Sequence, residues 1–310
     1  MEQMDPRPAT EADQKNTVVY RGMYEDTPDI GELVIPDGMT VIAEGAFREF
    51  TNLQRLVLPP SVTTIDACAF SGCTSLTSIS FSFGLCEIAD EAFLGCSSLT
   101  SVVLPDSVRR VGEGAFEGCA SLGRLRLSER LEVIGSSAFA FCFNLRDVTI
   151  PDSCYLVEFN AFASCFQLEA VKLSTSMAMI DESLFEGCRS LRTVDLPPKL
   201  FKIGRRAFRG CRSLPFLILP VGMREIGYDA FADCTSMTRI ALPKGLREVE
   251  DDDVFCGCDA LVELSFGGSA EEFELLFHGK TVTVTRSDDT VFTPKLTCLD
   301  LNDEIPLSGS

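Results

Sequence analysis

The sequence contains no tryptophan and a single histidine, His278. One histidine excludes a metal site built from several histidines, and we expect no Ser-His-Asp triad. The phosphate-binding pattern G-x-x-x-x-G-K-[ST] is also missing, and many glycines instead recur at repeat positions typical of turns. We therefore expect no enzymatic activity, no catalytic residues, no cofactor and no metal. We expect His278 to cap the end of a helix, where a histidine can bond a free carbonyl group.

Positive charge is scarce as well. The chain of 310 residues has 27 Lys and Arg against 46 Asp and Glu, a formal net charge of −19. Nucleic acids and anionic membranes are bound by clustered cations, so we expect neither as a partner. No run of about 18 apolar residues is present, which predicts no membrane span. The opening stretch MEQMDPRPATEADQKN lacks the apolar segment of a secretory signal, so we expect a cytoplasmic protein.

What the sequence does contain is a repeat centred on phenylalanine. A Phe recurs every 23 residues, and the last step alone is 24. The ten positions are Phe47, Phe70, Phe93, Phe116, Phe139, Phe162, Phe185, Phe208, Phe231 and Phe255. A fixed period of this length is the signature of a solenoid, in which each turn of the chain packs on the next.

Nine of the ten repeats also carry the pattern L-x-x-[LIV]-x-[LIF], often followed by Pro, and the other has Met237 in place of the first Leu. This pattern predicts a short strand of the leucine-rich repeat type, in which alternate side chains point into the core. A proline ends the strand because it has no N–H for the ladder. The rest of each repeat is too short for a long helix. We therefore predict an α/β-type, mainly β solenoid: a right-handed leucine-rich repeat superhelix of about ten 23-residue repeats, with a parallel concave sheet and short irregular or 3₁₀ convex turns.

Stretches such as LPDSVRRVGEGAFEGCASL and LPPKLFKIGRRAFRGCRSL resemble one subclass of these repeats. They look like the BspA-type, or Treponema-type, leucine-rich repeats of microbial surface antigens and protist proteins. The resemblance extends over residues 33 to 266. Members of that family are often secreted or displayed on the cell surface, and the resemblance implies binding of host or matrix proteins. A cell-surface location is therefore the alternative to a cytoplasmic one.

The two ends of the chain differ from the repeats. We expect a disordered tail over residues 1–17, an N-terminal cap over 18–32, the solenoid over 33–266, a C-terminal cap over 267–287 and a C-terminal tail over 288–310. In the C-terminal cap, Ser269 is placed to cap a helix with Glu271 and Glu272 in its first turn, and TVTVT then predicts a strand. Such caps cover the apolar ends and open sheet edges of a solenoid.

Nine of the fourteen cysteines lie three residues after a repeat Phe. They are Cys73, Cys96, Cys119, Cys142, Cys165, Cys188, Cys211, Cys234 and Cys258. A disulfide ladder and metal sites are two interpretations, and Cys256 with Cys258 forms the one C-x-C pair that could hold a metal. We favour a column of buried, reduced thiols that serve backbone carbonyls as weak donors, because equivalent residues on neighbouring strands, about 4.8 Å apart, place their Cβ atoms too far apart for a disulfide.

The residues that the scaffold leaves variable are those between the apolar positions of each strand, and we expect them to form the concave surface. The candidate protein-binding residues are Arg55, Arg124, Arg126, Asp147, Lys172, Asp195, Phe216, Ile218 and Arg239. Two strands, or rungs of the sheet, are prominent. Arg124 and Arg126 place two cations together on one rung, and Phe216 and Ile218 place two large apolar side chains together on another. Charge balance by Asp147 and packing of Phe216 against its neighbours are the structural alternatives.

We interpret the protein as a non-catalytic scaffold that binds a protein partner on the concave face of the repeats, and we expect a monomer. A cell-surface adhesin or antigen of the BspA type is one alternative. An adaptor or regulator of an enzyme is another, and it would use the same surface toward a defined client.

Overall fold

The computed structural model describes residues 19–20, 30–250, 254–277, 284–285 and 291–298. The chain forms a parallel, mainly β solenoid of about ten turns, which confirms the fold class predicted from the sequence. Most turns of the solenoid contain a longer strand, a two-residue strand and a hydrogen-bonded turn that holds the repeat Phe. These three parts repeat along the molecule as three columns.

The longer strands form the first column. They are β2 (Glu32–Val34), β4 (Arg55–Val57), β6 (Ser78–Ser80), β8 (Ser101–Val103), β10 (Arg124–Arg126), β12 (Asp147–Thr149), β14 (Ala170–Lys172), β16 (Thr193–Asp195), β19 (Arg239–Leu242), β21 (Glu263–Phe266) and β24 (Lys295–Cys298). We call this column the long-strand ladder.

The two-residue strands form the second column, which we call the short-strand ladder. They are β1 (Val19–Tyr20), β3 (Val41–Ile42), β5 (Thr64–Ile65), β7 (Glu87–Ile88), β9 (Arg110–Val111), β11 (Val133–Ile134), β13 (Leu156–Val157), β15 (Met179–Ile180), β17 (Lys202–Ile203), β18 (Glu225–Ile226) and β20 (Glu248–Val249). The remaining elements are the helix α1 (Ala270–Leu276) and an antiparallel pair, β22 (Val284–Thr285) and β23 (Val291–Phe292).

Register in both ladders follows the sequence period. Arg124 lies opposite Ser101 in the long-strand ladder, and Val133 lies opposite Arg110 in the short-strand ladder, each pair 23 residues apart. This register is fixed because a slip of one residue would turn every buried side chain outward. Equivalent residues of successive repeats therefore form rows of side chains along the solenoid. The strand pairing of the short-strand ladder is interrupted once, between β13 and β15. The strand pairing of the long-strand ladder is interrupted at three points.

The third column explains the spacing of Phe, Gly and Cys. In the stretch Phe70-Ser71-Gly72-Cys73, the N–H of Cys73 donates to the carbonyl of Phe70 at 3.3 Å and closes a four-residue turn. Gly72 has a φ of +76°, the left-handed conformation that such a turn requires at its third residue. The turn is also tied to the next repeat, because the N–H of Phe70 donates to the carbonyl of Ala92 at 2.8 Å.

The ten repeat Phe side chains form one stack along the core. Consecutive ring centroids are 5.2 to 6.0 Å apart, and the rings are inclined by 0° to 19°. All ten side chains are buried. Each stacked pair stabilises the fold by about 0.5–1.5 kcal/mol beyond the burial of its area. The stack therefore joins each inner turn to both of its neighbours and each end turn to one.

The nine repeat cysteines are buried beside this stack. Each thiol donates to the carbonyl of a Phe in the preceding turn, with S···O distances of 3.1 to 3.5 Å. None of the thirteen cysteines whose side chains the structure describes forms a disulfide. Burial raises the pKa of the thiols of Cys119 and Cys211 far above the usual range, which suppresses the reactive thiolate. These hydrogen bonds support the interpretation of the column as structural thiols.

The side of the repeat expected to hold irregular or 3₁₀ turns is more regular than the sequence predicts. It contains the short-strand ladder, whose second residues, such as Ile65, Ile134 and Ile203, are buried. The rest of this side consists of turns and bends, with no 3₁₀ segment in the part of the chain that the structure describes. A strand of two residues is too short for its alternation to be recognised in a sequence.

The C-terminal end of the solenoid carries the helix α1, which begins directly after Ser269. The Ser269 side chain accepts from the N–H of Glu272 at 3.2 Å, and the Glu272 carboxylate accepts from the N–H of Ser269 at 2.9 Å. This reciprocal pair is a capping box. Phe273 and Leu276 are buried and cover the last turn of the core.

A further strand lies in the segment that the sequence assigns to a C-terminal tail. The strand β24 pairs in parallel with β21, and Lys295 lies opposite Glu263. This strand comes 32 residues after its partner rather than 23, so the repeat pattern does not mark it. His278 and residues 1–18, 21–29 and 299–310 lie outside the described residues, so the expected histidine cap and both expected tail ends stay predictions.

Candidate interaction surface

The long strands expose one continuous face because their side chains alternate. In β12, Asp147 and Thr149 are exposed on either side of the buried Val148. Successive residues of a strand point to opposite sides of the sheet, so this pattern repeats from rung to rung. We call the outward side chains of the long strands, together with those of the rung at 216–218, the long-strand face. It is the face that the sequence predicts to be concave.

The arginine pair lies in the middle of this face. Arg124 and Arg126 are both exposed on β10. Arg126 Nη2 lies 3.7 Å from Asp106 Oδ1, whereas Arg124 forms no ion pair with any residue in the described part of the chain. The expected charge balance by Asp147 is not what the structure shows, because the partner of Arg126 is Asp106. An exposed pair of this kind contributes about 0–1 kcal/mol, so both guanidinium groups stay available.

The other predicted charges on the face are arranged in register. Arg55 Nη1 lies 3.5 Å from Glu32 Oε1 on the neighbouring strand. Lys172 lies opposite Asp195 in the ladder formed by β14 and β16. Arg55 is three rungs away from Arg124, whereas Lys172 is two rungs away on the other side. The face therefore holds a central charged region with Arg55 apart from it.

The apolar rung carries Phe216 and Ile218, which are 43% and 70% exposed. The guanidinium carbon of Arg239 lies 5.4 Å from the centroid of the Phe216 ring, within the range of a cation–π contact. Ile218 lies opposite Ala241 in an isolated bridge. Phe216 therefore packs against one neighbour, and a large apolar area remains in contact with solvent.

This rung is the least regular on the face, and Pro215 is the reason. Residues 216–218 do not form a strand, and only the isolated bridge of Ile218 pairs them with the next turn. At the equivalent position of other turns, the backbone N–H donates to the preceding turn, as Arg192 does to the carbonyl of Glu169 at 2.8 Å. Pro215 has no N–H to donate, so the ladder is interrupted there. The proline at the start of the predicted strand was the signal that could have revealed this interruption.

The spacing of the strands sets the size of the face. Four rungs separate Arg126 from Ile218, which at about 4.8 Å per rung gives roughly 19 Å. The structure thus brings eight of the nine predicted residues onto adjacent rungs, and it places Arg55 further along the same face.

The short-strand ladder carries charges that the sequence analysis did not single out. Lys202 Nζ lies 2.9 Å from Glu225 Oε2 across two of its strands. In the turn that holds Phe116, burial raises the pKa of Glu117, and the negative charges of Glu91 and Glu113 raise it further. No group of three or more His, Cys, Asp or Glu within the described ranges is placed to hold a metal ion. The side of the solenoid that carries the short-strand ladder is a solvated charged surface.

Comparison with known proteins identifies the repeat. The family model for the BspA type leucine-rich repeat region matches six copies, in spans that include residues 17–119, 40–167, 86–214 and 156–280. The chain belongs to the BspA-type leucine-rich repeat family. The resemblance noted in the repeat motifs is thereby confirmed. No curated protein matches the chain.

Solved structures of BspA-type and other leucine-rich repeat proteins are similar to this chain. A leucine-rich repeat protein of Treponema pallidum, TpLRR, is 32% identical over 61% of this chain and 79% of its own, with a TM-score of 0.47. A leucine-rich cell surface protein of Faecalibacterium prausnitzii is 25% identical over 80% and 82%, with a TM-score of 0.49. The pneumococcal vaccine antigen PcpA is 21% identical over 83% and 76%, with a TM-score of 0.51, and shows the shared fold.

BspA-type repeat proteins are in general non-enzymatic scaffolds that bind other proteins or serve as surface antigens. The residues that define the family are those of the scaffold, such as the repeat Phe and the strand leucines, so the outward side chains are free to differ. None of the helices in the described residues has the length and apolar character needed to cross a membrane.

Proposed function

We propose that this BspA-type repeat protein is a non-catalytic scaffold that binds a protein partner through the long-strand face. The observation that carries the proposal is the exposure, on one face and four rungs apart, of an arginine pair and an apolar pair. Arg124 and Arg126 form the first, and Phe216 and Ile218 form the second. Aromatic residues and arginines are the side chains most often found at the energetic centre of protein interfaces.

The charges of this face differ from those of the rest of the chain. Its strand residues include six cations and four carboxylates, whereas the whole chain has a formal net charge of −19. The cations are Arg55, Arg124, Arg126, Lys172, Arg239 and Lys295, and the carboxylates are Glu32, Asp147, Asp195 and Glu263. The partner we propose therefore has carboxylates opposite the arginine pair and an apolar side chain opposite Phe216.

The test is affinity purification from a lysate of the source organism with three forms of the protein. The first is the wild type. The second carries Arg124→Glu and Phe216→Asp on the long-strand face. The third is a matched control with Arg224→Glu and Tyr228→Asp, since Tyr228 is 41% exposed but lies outside the long strands. Circular dichroism first establishes that all three have the same fold.

Proteins captured by the wild type and the control, but lost with the second form, would support binding on the long-strand face. Equal capture by all three forms would contradict the proposal and would move the site to the turns or the ends of the chain. Loss with the control alone would assign binding to the side that carries Tyr228. If the captured protein is an enzyme, the scaffold acts as its adaptor or regulator.

We also propose that the protein works in a reducing compartment, with the cell surface as the alternative. Each repeat thiol donates to a backbone carbonyl of the preceding turn, as Cys142 does to Phe116 at 3.4 Å. Oxidation of two such thiols to a disulfide would remove two of these donors, so the arrangement favours reduced cysteines. Alkylation of the protein in its native cells, followed by mass spectrometry, counts the free thiols. Extensive disulfide formation would favour the surface-exposed alternative.

A further inference from the structure

A cluster of aromatic and cationic side chains lies outside the long-strand face, in the turn that precedes the long strands. Phe141 and Phe143 are in edge-to-face contact, with ring centroids 6.3 Å apart. Phe143 stacks on Phe166 of the next turn at 4.8 Å, and the guanidinium carbon of Arg189 lies 4.4 Å from the Phe166 ring centroid. Arg212 occupies the next place in the same row. We call these five residues the edge patch.

Phe141 occupies a position that is built for glycine. It is the third residue of the turn that begins at Phe139, and six other turns have glycine there, at Gly72, Gly95, Gly118, Gly187, Gly210 and Gly257. Phe141 has a φ of +59°, so a bulky side chain is held in the left-handed conformation. Its side chain is nevertheless 44% exposed. Nearly half of the surface of this large apolar residue is therefore in contact with solvent.

The backbone around Phe141 would accept a glycine without moving. The N–H of Phe141 donates to the carbonyl of Ala163 at 2.9 Å, as Gly118 donates to Ala140 at 2.9 Å one turn earlier. The N–H of Phe143 then donates to the carbonyl of Phe141 at 3.0 Å, which is also the pattern after Gly118. The aromatic side chain is therefore unnecessary for the turn, which also accepts Glu49, Ser164 and Asp233 at this position with φ of 58° to 61°. What sets Phe141 apart from them is its large, partly exposed ring.

The row that contains Phe143 and Phe166 departs from the scaffold in the same way. It is formed by the fourth residue after each repeat Phe. In four other turns this residue is Thr or Ser, and two of these hydroxyls bond to the preceding turn, Ser97 to the carbonyl of Thr74 at 3.5 Å and Thr235 to that of Arg212 at 3.4 Å. Two successive aromatic residues replace that bond with an exposed ring stack.

The arginines of the row decide which partner fits. Arg189 and Arg212 are exposed, and neither forms an ion pair with the residues that the structure describes. In a chain with a formal net charge of −19, two unpaired cations beside a ring stack select for carboxylates. We propose that the edge patch binds a protein segment that carries an acidic residue next to a large apolar side chain. The apolar group packs on Phe141 and Phe143, and the carboxylate meets Arg189 and Arg212.

The experiment compares two single substitutions that restore the glycine of the turn. Phe141→Gly removes the exposed ring. Ser164→Gly makes the same backbone change at the equivalent position of the next turn, where the φ is +58°, and it removes no ring. Both variants and the wild type are unfolded in urea. The probes are linear peptides selected on the wild type from a random display library, and their binding is measured by fluorescence anisotropy.

We expect Phe141→Gly to keep or raise the midpoint of unfolding, as Ser164→Gly does, while it weakens binding of the selected peptides by about tenfold or more. We expect those peptides to contain Asp or Glu beside an aromatic or aliphatic residue, and to lose affinity when Lys replaces the acid. The form with Arg124→Glu and Phe216→Asp should bind them unchanged, which separates this surface from the long-strand face.

Three results would overturn the proposal. A lower midpoint for Phe141→Gly alone would make Phe141 a packing residue. Failure of the library to yield acidic peptides, or binding that Phe141→Gly leaves intact, would remove the acidic segment as the partner. Self-association of the wild type in sedimentation experiments that Phe141→Gly abolishes would assign the patch to a second copy of this chain instead.

Discussion

The stack of repeat Phe side chains predicts that a substitution in the middle of the solenoid costs more than the same substitution near its end. Phe139 is stacked between Phe116 at 5.4 Å and Phe162 at 5.5 Å. Phe255 has one stacked neighbour among the described rings, Phe231 at 5.9 Å. Both side chains are buried, so Phe139→Leu and Phe255→Leu differ mainly in the number of ring contacts that they remove.

The expected magnitudes follow from that count. Each stacked pair contributes about 0.5–1.5 kcal/mol, so Phe139→Leu should lower the free energy of unfolding by about 1–3 kcal/mol through lost ring contacts. Phe255→Leu should lower it by about half as much. Leucine fills most of the volume of the ring, which keeps the contribution from an empty cavity small and similar in the two variants.

Urea unfolding followed by far-ultraviolet circular dichroism measures both variants, because the chain has no tryptophan for fluorescence. The slope of the transition also reports whether the solenoid still unfolds as one unit, since a weakened central turn can separate the two halves of a repeat protein. Equal losses for the two substitutions, or a larger loss for Phe255→Leu, would refute the idea that coupling between turns runs through the ring stack.

Three further predictions concern thiols, carboxylates and the helix cap. Ellman's reagent should modify the exposed Cys86 in the native protein and the nine repeat thiols only after denaturation, because the reagent cannot reach a buried side chain. Glu117→Gln should stabilise the protein at pH 7 by about 0.2–1 kcal/mol, because a carboxyl group with a raised pKa destabilises the fold when it is ionised. Well below pH 4 the carboxyl group is protonated, so the substitution should have no effect on the free energy of unfolding. Unfolding in urea at both pH values tests this. Ser269→Ala should cost about 1 kcal/mol of unfolding free energy, measured in the same way.

Much of the fold could be predicted because the repeat reports the same information in every turn. The 23-residue period fixes the register of both ladders, and it places each Phe on the next Phe in the core. The Phe-to-Cys spacing is that of a four-residue turn, so the buried thiol column also followed from the sequence. The capping box at Ser269 was visible because S-x-x-E before apolar residues is a local signal.

The features that could not be predicted are those in which one turn departs from the others. The short-strand ladder was missed because two residues are too few for a recognisable alternation. The interrupted rung at Phe216 depends on the missing N–H of Pro215, which matters only when the hydrogen bonds of the equivalent residues are known. The edge patch was missed because Phe143, Phe166 and Arg189 lie in three different repeats, and only the register between turns brings them together.

The central claim is that the long-strand face binds a protein partner, and site-specific photo-crosslinking tests it most directly. A benzophenone amino acid replaces Phe216 in one form of the protein and Tyr228 in another, two aromatic positions of nearly equal exposure in different parts of the turn. After irradiation in the native cells, we expect a covalent adduct of defined mass from position 216 and none from position 228. Adducts from both positions alike, or from position 228 alone, would contradict the claim.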